Sequence, residues 1–221
     1  MKILICITKF LMGSFFAGVL LFCLIGCSEN EKYETEFIAN KKEVETKGPL
    51  FSKEIERVLT EKIVLLKSLA QDPVVIENVR IFNKKNSQIS HSEILIADEK
   101  WMAIRGIDDF IKSLLTNKCS QRLIDFQEEH DEFPEIFVTD AKGLIVGETN
   151  KTSDYYQADE QWWLEAYRGG KGRTFYGEIE YDESAMAESI PIYMPIMESG
   201  NQEVIGVIKA VCDITAIKME L

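Results

Sequence analysis

Apolar positions enter the chain in two different patterns. Residues 10–23 (FLMGSFFAGVLLFC) carry no charge, follow Lys2 and Lys9, and lead into Leu24-Ile25-Gly26-Cys27, a small residue before a cysteine. The run is shorter than the roughly 20 residues of a membrane-spanning helix, and basic start, apolar middle and small-residue end together predict a cleaved export signal over 1–26. An uncleaved anchor shares the same apolar physics and stays as the alternative. Residues 27–48 are polar and charge-rich with few aliphatic side chains, a composition that cannot bury a core and suits a solvated tether. From Phe51 the apolar positions Ile55, Val58, Leu59, Ile63, Leu66, Leu69 and Ala70 recur at helical spacing opposite Lys53, Glu54, Arg57 and Glu61. That spacing predicts an amphipathic helix of about five turns. Asp72-Pro73 offers a cap and a first-turn proline for a second helix through Val74, Val75, Val79 and Ile81. Residues 83–92 read as a polar loop. A further helical stretch begins near Asp108, carries Phe110, Ile111, Leu114, Leu115, Leu123 and Phe126, and breaks around Asn117 to Ser120.

The period changes at Phe133. Ile136 to Thr139, the turn Asp140-Ala141-Lys142-Gly143 and Leu144 to Val146 form a hairpin pattern, because a glycine-containing turn separates two β-branched runs. Asp159 to Tyr167 reads as a short helix carrying Trp162 and Trp163 and ended by Gly169-Gly170. Three more strands are expected at about 174–180, 188–197 and 203–213. Pro191 and Pro195 lack the N–H a ladder needs, so the fourth strand is expected at an edge, bulged, or both. Helices followed by five strands with no repeated βαβ unit give an α+β fold over 49–221, a long N-terminal helix on a five-stranded antiparallel sheet.

Charge narrows the function. Asp and Glu number 37 against 25 Lys and Arg, a formal net charge of -12, and 46% of residues are hydrophobic. A packed core is therefore affordable and a nucleic-acid surface is excluded, since that affinity rests on clustered basic side chains. Loss of Lys2 and Lys9 with the signal leaves the remainder more acidic still. After cleavage Cys6 and Cys23 are gone, and Cys119 and Cys212 remain for a disulfide or for two buried thiols. The apolar strand pattern around Cys212 favours the thiols. His91 and His130 are the two histidines. Glu128-Glu129-His130-Asp131-Glu132 lacks a metal-ligand spacing and reads as a solvated helix end, Gly169-Gly170-Lys171-Gly172 lacks the phosphate-loop spacing, and no Gly-x-Ser-x-Gly occurs. No catalysis, metal or cofactor is expected.

Three stretches carry a family likeness: Ile136-Phe137-Val138-Thr139-Asp140-Ala141-Lys142-Gly143, Thr149 to Trp163, and Tyr181-Asp182-Glu183-Ser184 with the strands through Ile192–Pro195 and Val204–Ala210. Over about residues 133–215 they resemble the Cache domain, the PAS-like extracellular sensor module of bacterial chemoreceptors, histidine kinases and cyclases. In the amino-acid-binding branch the pocket is marked by a Tyr, an Arg five residues on, a Trp and a Tyr two and three after the Arg, and an Asp downstream. The resemblance assigns these to Tyr155, Trp162 and Asp182, with Tyr156 and Tyr181 beside them. Glu160 stands where the carboxylate-clamping Arg belongs, and Trp163 replaces the second Tyr. A Glu repels the carboxylate that an Arg would clamp, so the cluster implies a cationic amine, diamine or quaternary ammonium ligand held over ring faces.

The Leu24–Cys27 segment resembles the bacterial lipobox, which implies that Cys27 is acylated and anchors the chain to a membrane. Ser28 favours the outer membrane in enteric-type bacteria. With no output segment after Leu221, the implied role is an envelope sensor lipoprotein that reports a small molecule to a separate transmembrane kinase, cyclase or chemoreceptor. A binding lipoprotein feeding a transporter and a structural envelope protein are the alternatives.

Overall fold

The computed structural model describes residues 50–182, 187–198, 200 and 202–221, without the side chains of Asp182 and Ala187. The expected signal, Cys27 and the tether lie outside the described residues. Helix α1 (Lys53–Ala70) realises the first amphipathic pattern, with Ser52 as N-cap, Glu54 and Glu56 in its first turn and Lys67 in its last, each charge matched to the helix dipole. In α2 (Pro73–Lys85) the Asp72 carboxylate accepts the Val74 N–H at 2.8 Å, and the proline occupies the first turn where its missing N–H costs nothing. Helix α3 (His91–Ala103) occupies part of the expected polar loop, which is confined to the turn between α2 and His91. Its apolar residues point two ways: Ile94 and Trp101 are buried, whereas Leu95, Ile96 and Met102 are exposed, so no single stripe marked the helix. The break at Asn117 is present. It separates α4 (Asp109–Leu115) from α5 (Lys118–Glu129), and the Asn117 side chain caps α5 by accepting the Ser120 N–H at 3.0 Å.

The strands are β1 (Glu135–Asp140), β2 (Ile145–Glu148), β3 (Phe175–Tyr176), β4 (Glu180–Asp182), β5 (Ala187–Met197) and β6 (Val204–Asp213). Helix α6 (Gln161–Tyr167) lies between β2 and β3, and α7 (Ile214–Met219) follows β6. Among the described residues the sheet is antiparallel in the order β2-β1-β6-β5-β3, with β4 also on β5, which makes the fold α+β. The sheet has six strands rather than five, because the expected third strand divides into β3 and β4. The N–H of Gly177 donates to the Pro191 carbonyl at 2.9 Å, so Pro191 turns its hydrogen-bonding side toward β3, and Pro195 does the same by the period of two. Both missing N–H groups thus fall on the side of the short strands. Strand β5 is interior rather than an edge, and its irregularity is a register shift at Ile196 and Met197.

One sheet face carries Ile136, Val138, Ile190, Ile192, Ile208 and Ala210 and is covered by Val58, Leu59 and Leu66 of α1, Val75 and Val79 of α2, Leu123 and Phe126 of α5, and Ile217 of α7. Each such side chain contributes on the order of 1.5–3 kcal/mol on burial. Cys119 and Cys212 are both free and buried here, and burial pushes both thiols up to about 12, so they stay protonated and unreactive. The Lys62 ammonium joins α1 to Glu132 at 2.9 Å and to Glu220 at 2.6 Å, fastening the C-terminal end.

Strand β6 passes β1 closely at Gly206, where an added Cβ would overlap the carbonyl oxygen of Thr139. Gly206→Ala is expected to force the two strands apart and to cost at least about 2 kcal/mol, read as a lower urea midpoint at unchanged slope.

Candidate functional site

The second sheet face holds the candidate site. Strand register places Phe175 opposite Tyr193, Tyr193 opposite Lys209, Lys209 opposite Phe137, and Phe137 opposite Glu148. Directly opposed residues of antiparallel strands share a face, so these five side chains form one row across five strands. Helix α6 crosses over it. The Trp162 ring stacks on Tyr193 with centroids 4.9 Å apart at 14°, and meets Phe137 edge-on at 6.0 Å and 70°. Phe175 packs on Tyr193 as well, with ring centroids 4.7 Å apart at 39°. Offset stacked and edge-to-face pairs of this kind add about 0.5–1.5 kcal/mol each beyond their area. In the middle of the row the Lys209 ammonium lies 5.6 Å from the Trp162 ring centre and 5.9 Å from that of Phe137.

The path into α6 is set by the hairpin. Gly143 has φ +79, and a Cβ there would strike Ala158, while its carbonyl accepts the Gln157 N–H at 2.8 Å. Tyr156 bridges to Leu144 and the Tyr155 carbonyl accepts the Ile145 N–H, so residues 155–157 are laid along the start of β2. Asp98 of α3 fixes the same segment by accepting the N–H groups of Tyr155 and Tyr156 at 2.7 and 3.0 Å.

The structure brings two of the expected ligand residues to the row. Trp162 is one. Glu160 is the other: its carbonyl starts α6, its carboxylate makes no capping bond and is exposed. Desolvation and the charges of Asp154 and Asp159 raise that carboxyl above its ordinary value, and Lys209 opposes the rise. The other five are not brought there. Trp163 is 4% exposed, donates Nε1–H to Thr139 Oγ1 at 2.8 Å and stacks on Tyr167, because neighbours on a helix point about 100° apart. It anchors α6. Tyr155 is 5% exposed and packed between Trp101 and Phe110 at 5.6 and 5.3 Å, which makes it core, with burial pushing its hydroxyl pKa up. Tyr156 is half-buried and edge-on to His91. Tyr181 is 63% exposed on β4. Asp182 pairs with Ala187, six residues along β5 from Tyr193 and so roughly 20 Å away by strand rise, and its side chain lies outside the described residues.

Lys209, Tyr193, Phe137 and Phe175 were not anticipated, since register decides which strand residues meet and sequence alone does not give register. One signal was present: Lys209 is the lone charge within the apolar run Val204 to Cys212.

Glu148 ends the row. It is fully buried; Oε2 accepts the Thr152 N–H at 3.0 Å and its hydroxyl at 3.1 Å, while Oε1 has no hydrogen-bond partner among the described residues. The Thr152 carbonyl in turn accepts Trp101 Nε1–H at 2.9 Å, so this carboxyl pins the loop leading to Tyr155. Burial, with the charge of Glu135 adding to it, pushes the Glu148 pKa from 4.5 up to about 7 against the bonds from Thr152.

Among the described residues, no three or more His, Cys, Asp or Glu side chains converge as a metal-ligand set, and no helix is long and apolar enough to cross a membrane. Two clefts, of about 310 Å³ beside Ile63 and Met194 and about 460 Å³ beside Lys142 and Tyr167, lie away from the row.

The folded chain holds the Glu148 proton more tightly than the unfolded chain does. This group therefore favours the fold at acid pH, and its contribution is lost as pH rises from about 4.5 through about 7. Glu148→Gln keeps the acceptor for Thr152 and removes the charge. Chemical denaturation between about pH 5 and pH 8 is expected to show a flatter stability profile for the variant, which gains up to about 3 kcal/mol over the parent at the alkaline end.

No family model matches the chain, and no curated protein does. Solved structures do. The extracellular domain of the histidine kinase designated vpHK1S-Z8 is 11% identical over 76% of this chain and 55% of its own, with a TM-score of 0.43. The ligand-binding domain of a Pseudomonas aeruginosa amino acid chemoreceptor in complex with L-Arg is 14% identical over 76% and 54%, at 0.40. That of a Pseudomonas fluorescens chemoreceptor in complex with L-alanine is 13% identical over 87% and 63%, at 0.39. The chain thus spans between about half and two thirds of the length of these chains. These three are the extracellular domain of a histidine kinase and the ligand-binding domains of two chemoreceptors.

Proposed function

We propose that this domain captures a small molecule on the face formed by Trp162, Tyr193, Phe137 and Lys209, and that it works outside the cytoplasm as the sensing part of a signalling system. The observation that carries the reading is the half-buried Trp162 ring stacked on Tyr193 with an ammonium and a carboxylate beside it. Rigid ring faces offer contact area at little cost in side-chain entropy, and a few charged groups beside them orient what binds. A purely structural face would be expected to carry apolar side chains at the position of Lys209.

In this reading residues 1–26 direct export, Cys27 carries lipid and holds the chain to a membrane, and residues 27–48 let the domain reach a separate transmembrane kinase, cyclase or chemoreceptor. The domain itself performs no chemistry on its ligand. Asp182 keeps no special weight, because the register of β4 sets its backbone far from Tyr193.

A thermal-shift screen of the full chain against amino acids, short carboxylates and diamines tests the reading. A compound present at 100 times its dissociation constant stabilises by about 2.7 kcal/mol, a shift the assay resolves. Trp162→Ala is expected to weaken the stabilising compound at least tenfold with an unchanged circular dichroism spectrum. Silence across the panel, or equal binding by Trp162→Ala, would refute it.

A further inference from the structure

Resting on the proposed ligand face, we infer that Lys209 is its specificity-determining residue, and that it selects a small molecule by a compact anionic group while rejecting simple amines. Three observations point this way. First, the ammonium is central: Lys209 is opposite both Tyr193 and Phe137, and its Nζ lies over the Trp162 and Phe137 rings. The ring faces that would attract a guest cation therefore already hold one supplied by the chain. A second cation at the same rings meets like-charge repulsion in a setting less screened than water.

Second, no carboxylate among the described residues forms an ion pair with Lys209, although the chain carries an excess of acids. Lys62, paired with Glu132 and Glu220, and Arg122, paired with Asp72, are partly buried cations that do hold carboxylates. A half-buried ammonium that has ring faces and the field of Glu160 but no ion pair retains unused hydrogen-bond donors. A carboxylate, sulfonate or similar oxyanion fills them.

Third, the charges are ordered along the approach. Asp154, Asp159 and Glu160 gather at the start of α6, where burial and the charge of Asp154 raise both Asp159 and Glu160, while Lys209 on the sheet opposes the rise at Glu160. A positive group at the other end of the same ligand is accommodated at Glu160, so a zwitterion entering anion first suits the face better than a bare anion. Glu160, first read as a reason to expect amines, acts in this arrangement as the second contact and not the first.

The test uses matched triplets sharing one skeleton: phenylalanine, phenethylamine and 3-phenylpropionate, with the corresponding sets for leucine, alanine and β-alanine. Each is titrated calorimetrically into the full chain in mild detergent, and into Lys209→Met, Lys209→Arg and Trp162→Ala. The expected result is binding by at least one anionic or zwitterionic member and none by its amine. Lys209→Met should weaken that binding at least tenfold, Lys209→Arg should restore most of it, and circular dichroism should confirm that all variants are folded. Binding of an amine alone, strengthened by Lys209→Met, would overturn the role of Lys209 and leave the ligand face standing. Binding of the anion unchanged in Lys209→Met would overturn it equally. Absence of binding by every member would remove the ligand face and the role of Lys209 with it.

Discussion

The structure depends on the register of β1, β5 and β6. Side chains alternate along a strand, so one residue of slip would exchange the two faces of the sheet. In the observed register the aliphatic set Ile136, Val138, Ile192, Ile208 and Ala210 is committed to α1, α2 and α5. The intervening positions Phe137, Tyr193 and Lys209 are left to the other side. That face is closed in pieces rather than by one continuous core: Trp101, Tyr155 and their neighbours form one cluster, and Trp163, Ala166 and Val207 another. Trp162 packs against both and belongs fully to neither, which is why a half-buried indole remains beside a half-buried ammonium.

Charge placement on this face follows from what each group gains by folding. Glu148 and Lys209 share the row with Phe137 between them. Glu148 is fully buried and answers by holding its proton, with its pKa raised to about 7. Lys209 keeps ring contacts and partial access to solvent. The end and the middle of one row therefore serve different purposes, a neutral clasp on the loop at Thr152 and a charged group over the rings.

Local sequence signals were sufficient for most elements and insufficient for most of the site. Ser52, Asp72 and Asn117 all cap the helices that follow them, and the glycine turn at 140–143 makes the hairpin, because each is a contact within a few residues. Helix α3 escaped the periodicity reading since Leu95, Ile96 and Met102 blur its stripe, although Ser90 and Glu93, its capping box, were there to be read. The division of the third strand depended on which side of β5 Pro191 and Pro195 present, a matter of pairing and not of composition. The site shows the same limit. Trp162 and Glu160, singled out by the family resemblance, lie together at the start of α6 beside the row, whereas Tyr155 and Trp163, singled out in the same way, went to the core through Trp101 and Thr139. Lys209 reaches Trp162 from a strand 47 positions on, a contact that only the register creates.

The two faces meet at β3, the shortest strand. Its two residues point to opposite layers: Phe175 packs on Tyr193 at the aromatic row, and Tyr176 packs on Phe51 and donates its hydroxyl to Glu56 of α1. The ladder is interrupted after Gly177 and resumes on β5 at Glu180, and Ile179 and Tyr181 are exposed. Few backbone bonds hold β3 apart from its pairing with Tyr193 and Ile192, so the position of Tyr176 depends on how Phe175 is seated. Side chains on adjacent residues of a strand cannot shift independently when the segment is this short. Phe175 and Tyr176 thus join the aromatic row to the start of α1 through one two-residue strand.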